Sequence, residues 1–506
     1  MIQFARFKQE EGGTQERGDA WGVLALLFAV LSMTILIPFG RVTGDEGLYL
    51  NASKSVWEGQ WLYRDFLFNQ MPLLPYVYAP FLRLMAWEIV GARMISCLLY
   101  GASLWIIWRS LRRRYGTWPA GMALVLLAFN LSLSFDCSQF KTQPLTWFLL
   151  SIALSLSMRE HNYPRPVAAG VFLALASFQR LSLLPLLPLF FVAFMVQEET
   201  RKLGMACLPG IFLFLLLCAG YLFISQGKMF FGVLTLHGRY HEQFPREPWV
   251  AHIGFLLGFL GNQGLLLFAF LWAAGRLVVV DCLSQGRKSI YMEEVFCLGY
   301  LAITVLHATR STPYPIHQTS IVPLAIYPIA WLFSRLPLDR RPVFSWLLMS
   351  LCVLQMPFQE CEIRLGNRGS IRGQRGVAAF LASLPLTSEP AMILDPGLAV
   401  MAGLKPLKGY ELGEFSYIHH ASDADCEAYH LVNYSLLLQQ VDGREAGIFC
   451  LRSSDFSALS PRDFEREFLP MLRAGYQEVA VFEGYGQFEE ELFVFLRRQQ
   501  GWFSGG

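Results

Sequence analysis

Runs of apolar residues long enough to approach a membrane span recur through the first 358 residues, and no other property restricts the fold as strongly. A spanning helix needs about 20 predominantly apolar residues. Such runs are drawn at Trp21–Gly40, Gly91–Trp108, Pro119–Leu133, Leu145–Ser157, Val167–Phe178, Leu183–Val196, Met205–Ile224, His252–Trp272, Val295–Ala308, Thr319–Phe333 and Val343–Phe358. The pattern predicts a polytopic α-helical membrane protein with about eleven transmembrane helices, some of them short. Composition agrees: the chain is 54% hydrophobic and only 16% charged, against roughly 25% charged in a soluble domain. The net charge of +2, with basic residues spread along the chain, gives no footprint for nucleic acid.

Orientation follows from the short basic loops. Arg109 with Arg112–Arg114, Arg159 with Arg165, Arg201 with Lys202, Arg276 with Arg287 and Lys288, and Arg335 with Arg340 and Arg341 are all placed in the cytoplasm by the positive-inside rule. Met1–Ala20, which carries Arg6, Lys8 and Arg17 and has no small-residue cleavage site after the following run, reads as a cytoplasmic signal anchor. Pro185 and Pro188 after Arg180 break the chain between two spans and keep this parity. The loop 41–90 and everything after Phe358 then face outward, in an inner cell membrane crossed many times.

Residues 359–506 change to a mixed, charged pattern. Ala391–Leu394, Gly447–Leu451, Glu478–Phe482 and Leu492–Leu496 read as strands and Pro461–Leu472 as a helix, which predicts a small extracytoplasmic α/β domain after a membrane domain of 1–358. Its Cys361, Cys426 and Cys450 are odd in number, so they leave room for one disulfide and imply no framework.

Polar chemistry concentrates between Thr43 and Tyr78, at the edge of the first span. Thr43-Gly44-Asp45-Glu46 has the spacing of a capping box, so Glu46 reads either as a cap or as a second catalytic carboxylate. Asp45 falls in the first helical turn, where the helix dipole favours the ionised carboxylate and leaves it able to accept a proton. A further acid, Asp65, follows Arg64, as an orienting group or a simple surface pair. Nucleotide-binding, zinc-protease, serine-hydrolase and paired-cysteine motifs are all missing, and outward-facing acids above a hydrocarbon layer suit a reaction on a lipid-linked substrate.

These residues resemble a known family. Asp45-Glu46, then Gly59-Gln60-Trp61-Leu62-Tyr63-Arg64-Asp65-Phe66, then Pro72-Leu73-Leu74-Pro75-Tyr76 are similar to the first outer loop of the GT-C membrane glycosyltransferases, in the branch of the dolichyl-phosphate-mannose protein mannosyltransferases and the lipid A aminoarabinose transferase. The likeness continues loosely through Phe178-Gln179-Arg180, the Tyr314-Pro315-Ile316-His317 loop and the C-terminal domain. It implies inverting transfer of a sugar from a polyprenyl-phosphate donor to a hydroxyl on a protein, lipid or glycan. Asp45 is then the base, with Glu46 and Asp65 beside it. Arg180, Arg239 and Arg64 are the phosphate candidates, and Tyr49, Tyr63, His237, Asp136, Arg310 and His317 are further substrate candidates.

The sequence also departs from that branch. Gln70-Met71-Pro72 stands where the aminoarabinose branch has Glu-Lys-Pro, and Gln143-Pro144 stands where relatives often carry an aspartate. No cofactor is certain, and a divalent metal stays open as an alternative that the first-loop residues do not support. A transporter or flippase of a lipid-linked glycan is the alternative, opposed by spans nearly free of carboxylates and by the lack of paired halves. A non-catalytic scaffold is the third reading.

Overall fold

The computed structural model describes residues 12–158, 164–196, 201–242, 248–277, 292–309, 316–359, 369–459, 464–486 and 488–498. The first ten helices are α1 Gly12–Phe39, α2 Gly44–Trp57, α3 Leu73–Leu84, α4 Ile89–Tyr115, α5 Thr117–Ala128, α6 Leu131–Ser138, α7 Thr142–Ser157, α8 Pro164–Gln179, α9 Leu186–Val196 and α10 Arg201–Ile224. Helices Pro248–Arg276, Met292–Ala308, Val322–Ser334 and Arg341–Gln355 complete the apolar body. Leu27, Leu216, Phe223 and Leu257 point outward from it, which suits a surface solvated by lipid. The chain is an integral membrane protein.

Among the described residues five helices are long and apolar enough to cross a membrane, and a sixth is gained if α5 and α6, bent by 70°, count as one span. The expectation of about eleven therefore includes segments shorter than a bilayer, such as Arg165–Gln179 and Val322–Ser334. The α5–α6 bend has a local cause. The Asn130 side chain accepts from the Leu133 amide at 3.0 Å and donates to the Asn262 carbonyl at 2.8 Å, so it caps a new helix inside one apolar run. The expected break near Pro185 is also found: α8 ends at Gln179, a 3-10 turn covers Leu181–Leu183, and α9 starts at Leu186.

One buried knot fixes the start of α2. Arg93, on α4 and fully enclosed, donates to the carbonyls of Ile37 (2.9 Å), Gly40 (3.0 Å) and Arg41 (2.8 Å), satisfying groups that the end of α1 leaves open. It also grips both oxygens of Glu46, at 2.8 and 2.7 Å. Glu46 accepts as well from the amides of Phe140 at 3.0 Å and Thr43 at 3.2 Å. Burial alone would push this carboxyl up; Arg93 and the Phe140 amide outweigh it and hold the group below its ordinary value.

Beyond residue 369 the chain forms a five-stranded sheet in the order β2-β1-β3-β5-β4, with β1 Pro390–Ile393, β2 Lys405–Pro406, β3 Ile448–Arg452, β4 Tyr476–Tyr485 and β5 Glu490–Arg497. β1 runs parallel to β2 and β3, and β5 runs antiparallel to β3 and β4. All four expected strands are present, and the short β2 is additional. Cys426 and Cys450 are free thiols, so they do not form a disulfide with each other; Cys361 lies outside the described residues.

This α/β unit is seated on the first loop by close contacts. A Cβ on Gly47 of α2 would stand 2.5 Å from the Gly397 amide nitrogen, so the helix Pro396–Met401 touches α2 backbone to backbone. Asn51 donates to the Glu411 carbonyl at 2.7 Å, and Phe231 stacks on Tyr429 with ring centres 3.8 Å apart.

Candidate active site

The N-terminal turn of α2 presents two neighbouring carboxylates in opposite directions. Glu46 points inward to Arg93, whereas Asp45 is exposed and has no hydrogen-bond or ion-pair partner among the described residues. One turn on, Tyr49 is buried. Burial pushes its phenol well above the ordinary range, the nearby Asp45 charge adds to this, and Arg180 and a hydrogen bond with Thr142 oppose it. Asp45, Tyr49, Thr142 and Arg180 therefore share one neighbourhood.

Its far side is built by α7 and α8. Arg180, half-buried just after α8, donates from Nη1 to the Thr142 hydroxyl at 2.8 Å. Thr142 opens α7, and Lys141 is its N-cap residue. Lys141 is 4% exposed. The α/β unit supplies Glu414, whose side chain is 40% exposed yet walled in by protein, and which takes a 2.7 Å ion pair from Arg452. Burial raises its carboxyl, Arg452 opposes that, and Asp455 and Asp45 raise it further; Asp45 and Glu414 are thus close enough to feel each other's charge.

Other residues singled out in the sequence are placed elsewhere. Glu46 is a correction: it is sealed in the Arg93 knot and faces no open space. Asp65 and Arg64 hold each other at 2.8 and 2.9 Å on the surface, and Asp65 also accepts from the Trp61 amide at 2.8 Å, so the pair shapes the loop tip and is not turned to a phosphate. Hydrogen bonds from Arg64 and the Trp61 amide outweigh what burial Asp65 has and lower its carboxyl. Arg239 is engaged by Asp425 of the α/β unit at 2.9 Å and lies over the Phe231 ring. The Tyr63 hydroxyl donates to the Gln70 carbonyl, closing the loop, and His237 contacts the Asn69 carbonyl at 3.0 Å.

Asp136 accepts from the Thr319 hydroxyl at 2.7 Å, two residues from the half-buried His317, whose ring centre is 5.5 Å from that of the buried His307; the Asp136–Thr319 bond joins α6 to the turn Ile316–Thr319. Arg310 lies outside the described residues. Among the described residues no group of three or more His, Cys, Asp and Glu is placed to hold a metal ion.

The residues not anticipated are Arg93, Lys141, Thr142 and Glu414. A lone arginine in the apolar run Gly91–Trp108 was a readable signal for Arg93. The others depend on contacts between distant segments.

Comparison with known proteins agrees with this architecture. Residues 69–224 match the family model described as dolichyl-phosphate-mannose-protein mannosyltransferase. The structure is similar to that of ArnT from Cupriavidus metallidurans in the apo state, with a TM-score of 0.62 at 13% identity over 94% of this chain and 98% of that one. The form of ArnT bound to undecaprenyl phosphate superposes with a TM-score of 0.61 at 12% identity, over 95% and 98% of the two chains. The oligosaccharyltransferase of Archaeoglobus fulgidus tethered to an acceptor peptide matches with a TM-score of 0.54 at 12% identity, over 96% of this chain and 74% of that one. No curated protein matches by sequence. The chain has the GT-C membrane fold. Residues 69–224 alone match that family model, and over the whole chain the likeness to ArnT is one of fold.

Proposed function

We propose that this protein is an inverting glycosyltransferase that moves a sugar from a polyprenyl-phosphate donor to an acceptor hydroxyl of a lipid, glycan or protein. The active face is the outer face of the inner cell membrane. The observation that carries the reading is an unpaired, exposed carboxylate, Asp45, set in one neighbourhood with the half-buried Arg180. The likeness to ArnT in its undecaprenyl phosphate complex supports a lipid-phosphate donor.

In the reaction the acceptor oxygen attacks the anomeric carbon from the face opposite the phosphate. The bond from that carbon to the phosphate oxygen breaks, and its electron pair leaves with the polyprenyl phosphate. The acceptor's proton passes to Asp45, which must be ionised to receive it. Arg180 stabilises the negative charge that grows on the departing phosphate, and a guanidinium can do so through two parallel N–H groups. Thr142 holds Arg180 in place, and Tyr49 lies within reach of both charges.

The test is Asp45→Asn in full-length protein supplied with polyprenyl-phosphate sugars and envelope acceptors. Asparagine caps a helix about as well as aspartate, so yield and donor affinity stay unchanged while turnover falls by about 100-fold or more. Normal transfer by this variant removes Asp45 from the chemistry. Orientation is checked separately by a reporter active only outside the cytoplasm: fused after Gly506 it is active, and near Arg113 it is silent.

A further inference from the structure

Gln179, the last residue of α8, is 1% exposed, yet neither its amide nitrogen nor its amide oxygen has a hydrogen-bond partner among the described residues. Ser182, on the 3-10 turn that follows, is 7% exposed, and its hydroxyl is unmatched in the same sense. Such groups are rare, because burial strips their water and nothing replaces it. Among the described residues no other amide side chain has both ends sealed from water and unmatched. Amides that hold the scaffold together are treated differently. Asn130 is bonded at both ends, and Asn433 donates to the Ala421 carbonyl at 3.0 Å and to Asp423 at 2.8 Å while accepting from the Leu436 amide at 2.8 Å.

Between Gln179 and Ser182 lies Arg180, which reaches the Thr142 hydroxyl at 2.8 Å. The turn Leu181–Leu183 packs on the helix Met292–Ala308, and so does the turn Ile316–Thr319. There Gln318, fully buried, accepts from the Thr304 hydroxyl of that helix at 3.2 Å, but its amide nitrogen is unmatched. Unmet polar groups from two segments therefore border one helix next to Arg180. What they lack identifies what they take. Gln179 offers N–H donors and a carbonyl acceptor side by side, and Ser182 offers one donor and one acceptor. A phosphate only accepts and an isoprenoid chain does neither, so neither of them satisfies this set. A sugar hydroxyl both donates and accepts, and two hydroxyls on adjacent carbons match an amide at both ends.

We propose that Gln179, assisted by Ser182, is a specificity-determining residue that reads a pair of hydroxyls on the sugar attached to the donor phosphate. The inference rests on the glycosyl-transfer reading, in which Arg180 meets the phosphate and the sugar is the group bonded directly to it. A sugar lacking one of the two hydroxyls leaves an end of the amide buried and unmatched, and this is what rejects it. The lipid and the phosphate are common to every polyprenyl-phosphate sugar, so Gln179 affects the choice among sugars and not the binding of the carrier.

The experiment measures binding of undecaprenyl phosphate and of its glucose, galactose, mannose and xylose forms to the full-length protein in lipid nanodiscs, with deoxy versions of the tightest. Wild type is expected to bind one sugar form about 10-fold or more tightly than undecaprenyl phosphate, and to lose that gain when one hydroxyl is removed. Gln179→Met keeps the size of the side chain and removes both polar ends. It is expected to bind undecaprenyl phosphate like wild type, to bind the sugar form no more tightly than that, and to unfold no earlier, since no matched bond is lost. Ser182→Ala is expected to lose about threefold for the sugar form alone. If Gln179→Met keeps the wild-type preference for the sugar form, the proposal is overturned. If that variant loses undecaprenyl phosphate and stability together, the amide holds structure, which also overturns it. A wild type that binds undecaprenyl phosphate but none of its sugar forms more tightly has no sugar-reading residue, and the proposal falls while the phosphate contact stands. If wild type binds none of these lipids, the donor reading itself fails.

Discussion

The knot beneath α2 and the rim above it use the same residue types in opposite ways. In the knot, one arginine and one carboxylate spend their hydrogen-bonding capacity on the protein: Arg93 on Glu46 and carbonyls at the end of α1, and Glu46 on Arg93 and the amides of Phe140 and Thr43. At the rim, Asp45 has no such partner among the described residues. A buried charge matched inside the protein fixes structure; a charge left unmatched at the same depth or nearer the surface is available to a ligand. Asp45 and Glu46 are adjacent in sequence, so the contrast lies in which side of one helical turn each occupies.

The largest effect expected is on the knot. Arg93→Ala leaves Glu46 as an uncompensated buried charge and frees several α1 carbonyls, a loss of about 3–5 kcal/mol, read as a shift in detergent-titrated unfolding. The pH dependence has a definite sign. The Glu46 carboxyl is depressed in the folded state relative to its ordinary 4.5, so its contribution is fully present above about that pH and is lost as pH falls through the folded value. Glu46→Gln should therefore flatten the acid limb of the stability curve. An arginine variant as stable as wild type would erase the distinction between knot and rim.

The next effect is at the rim. Arg180→Ala removes a charge-assisted contact and should weaken donor binding by about 1.5–3 kcal/mol, with the unfolding midpoint nearly unchanged. Arg180→Lys keeps part of the affinity but lacks the planar fork. Loss of stability without loss of donor affinity would move Arg180 from the rim to the scaffold.

A smaller effect tests how the α/β unit is coupled to both. A Cβ on Gly397 would lie 2.7 Å from the Gly47 Cα, which is backbone and cannot yield cheaply. Gly397→Ala is expected to push the helix Pro396–Met401 away from α2 at a cost of about 1–3 kcal/mol and to lower turnover, because α2 carries Asp45. Unchanged turnover in a destabilised variant would show that the unit can lift without disturbing the chemistry.

Much of this was legible in the sequence where the signal is local. Apolar runs gave the helices, alternation gave the four main strands, and the spacing of Thr43 and Glu46 gave the start of α2. The candidate Asp45 follows from its position beside that cap. Three kinds of information were not local. Asn130 caps α6 locally through the Leu133 amide, but its second bond, to the Asn262 carbonyl, anchors the bend to a distant helix and could not be read from the sequence. Arg239 looked like a phosphate ligand because its partner, Asp425, lies 186 residues away. Lys141 was not singled out, because burial is a property of the assembled helices. Charge matching across long separations is what a single sequence hides, and it is also what divides knot from rim.

The smallest effect expected is at the loop tip, and it tests whether the rim extends that far. Arg64 and Asp65 satisfy each other side by side, with side chains 42% and 31% exposed, and solvent screening leaves such pairs little net worth. Asp65 does one further thing: it accepts from the Trp61 amide at 2.8 Å, an interaction that asparagine retains through its carbonyl oxygen. Asp65→Asn should therefore leave the unfolding midpoint in place and keep turnover within about twofold of wild type. The same substitution at Asp45 abolishes most turnover under the proposed mechanism, although both residues are exposed acids of one loop. The difference is that Asp65 already has a cationic partner and Asp45 has none among the described residues. If Asp65→Asn instead lowered turnover as far as Asp45→Asn does, an internally matched surface carboxylate would be part of the chemistry, and matching could no longer be used to tell scaffold from site.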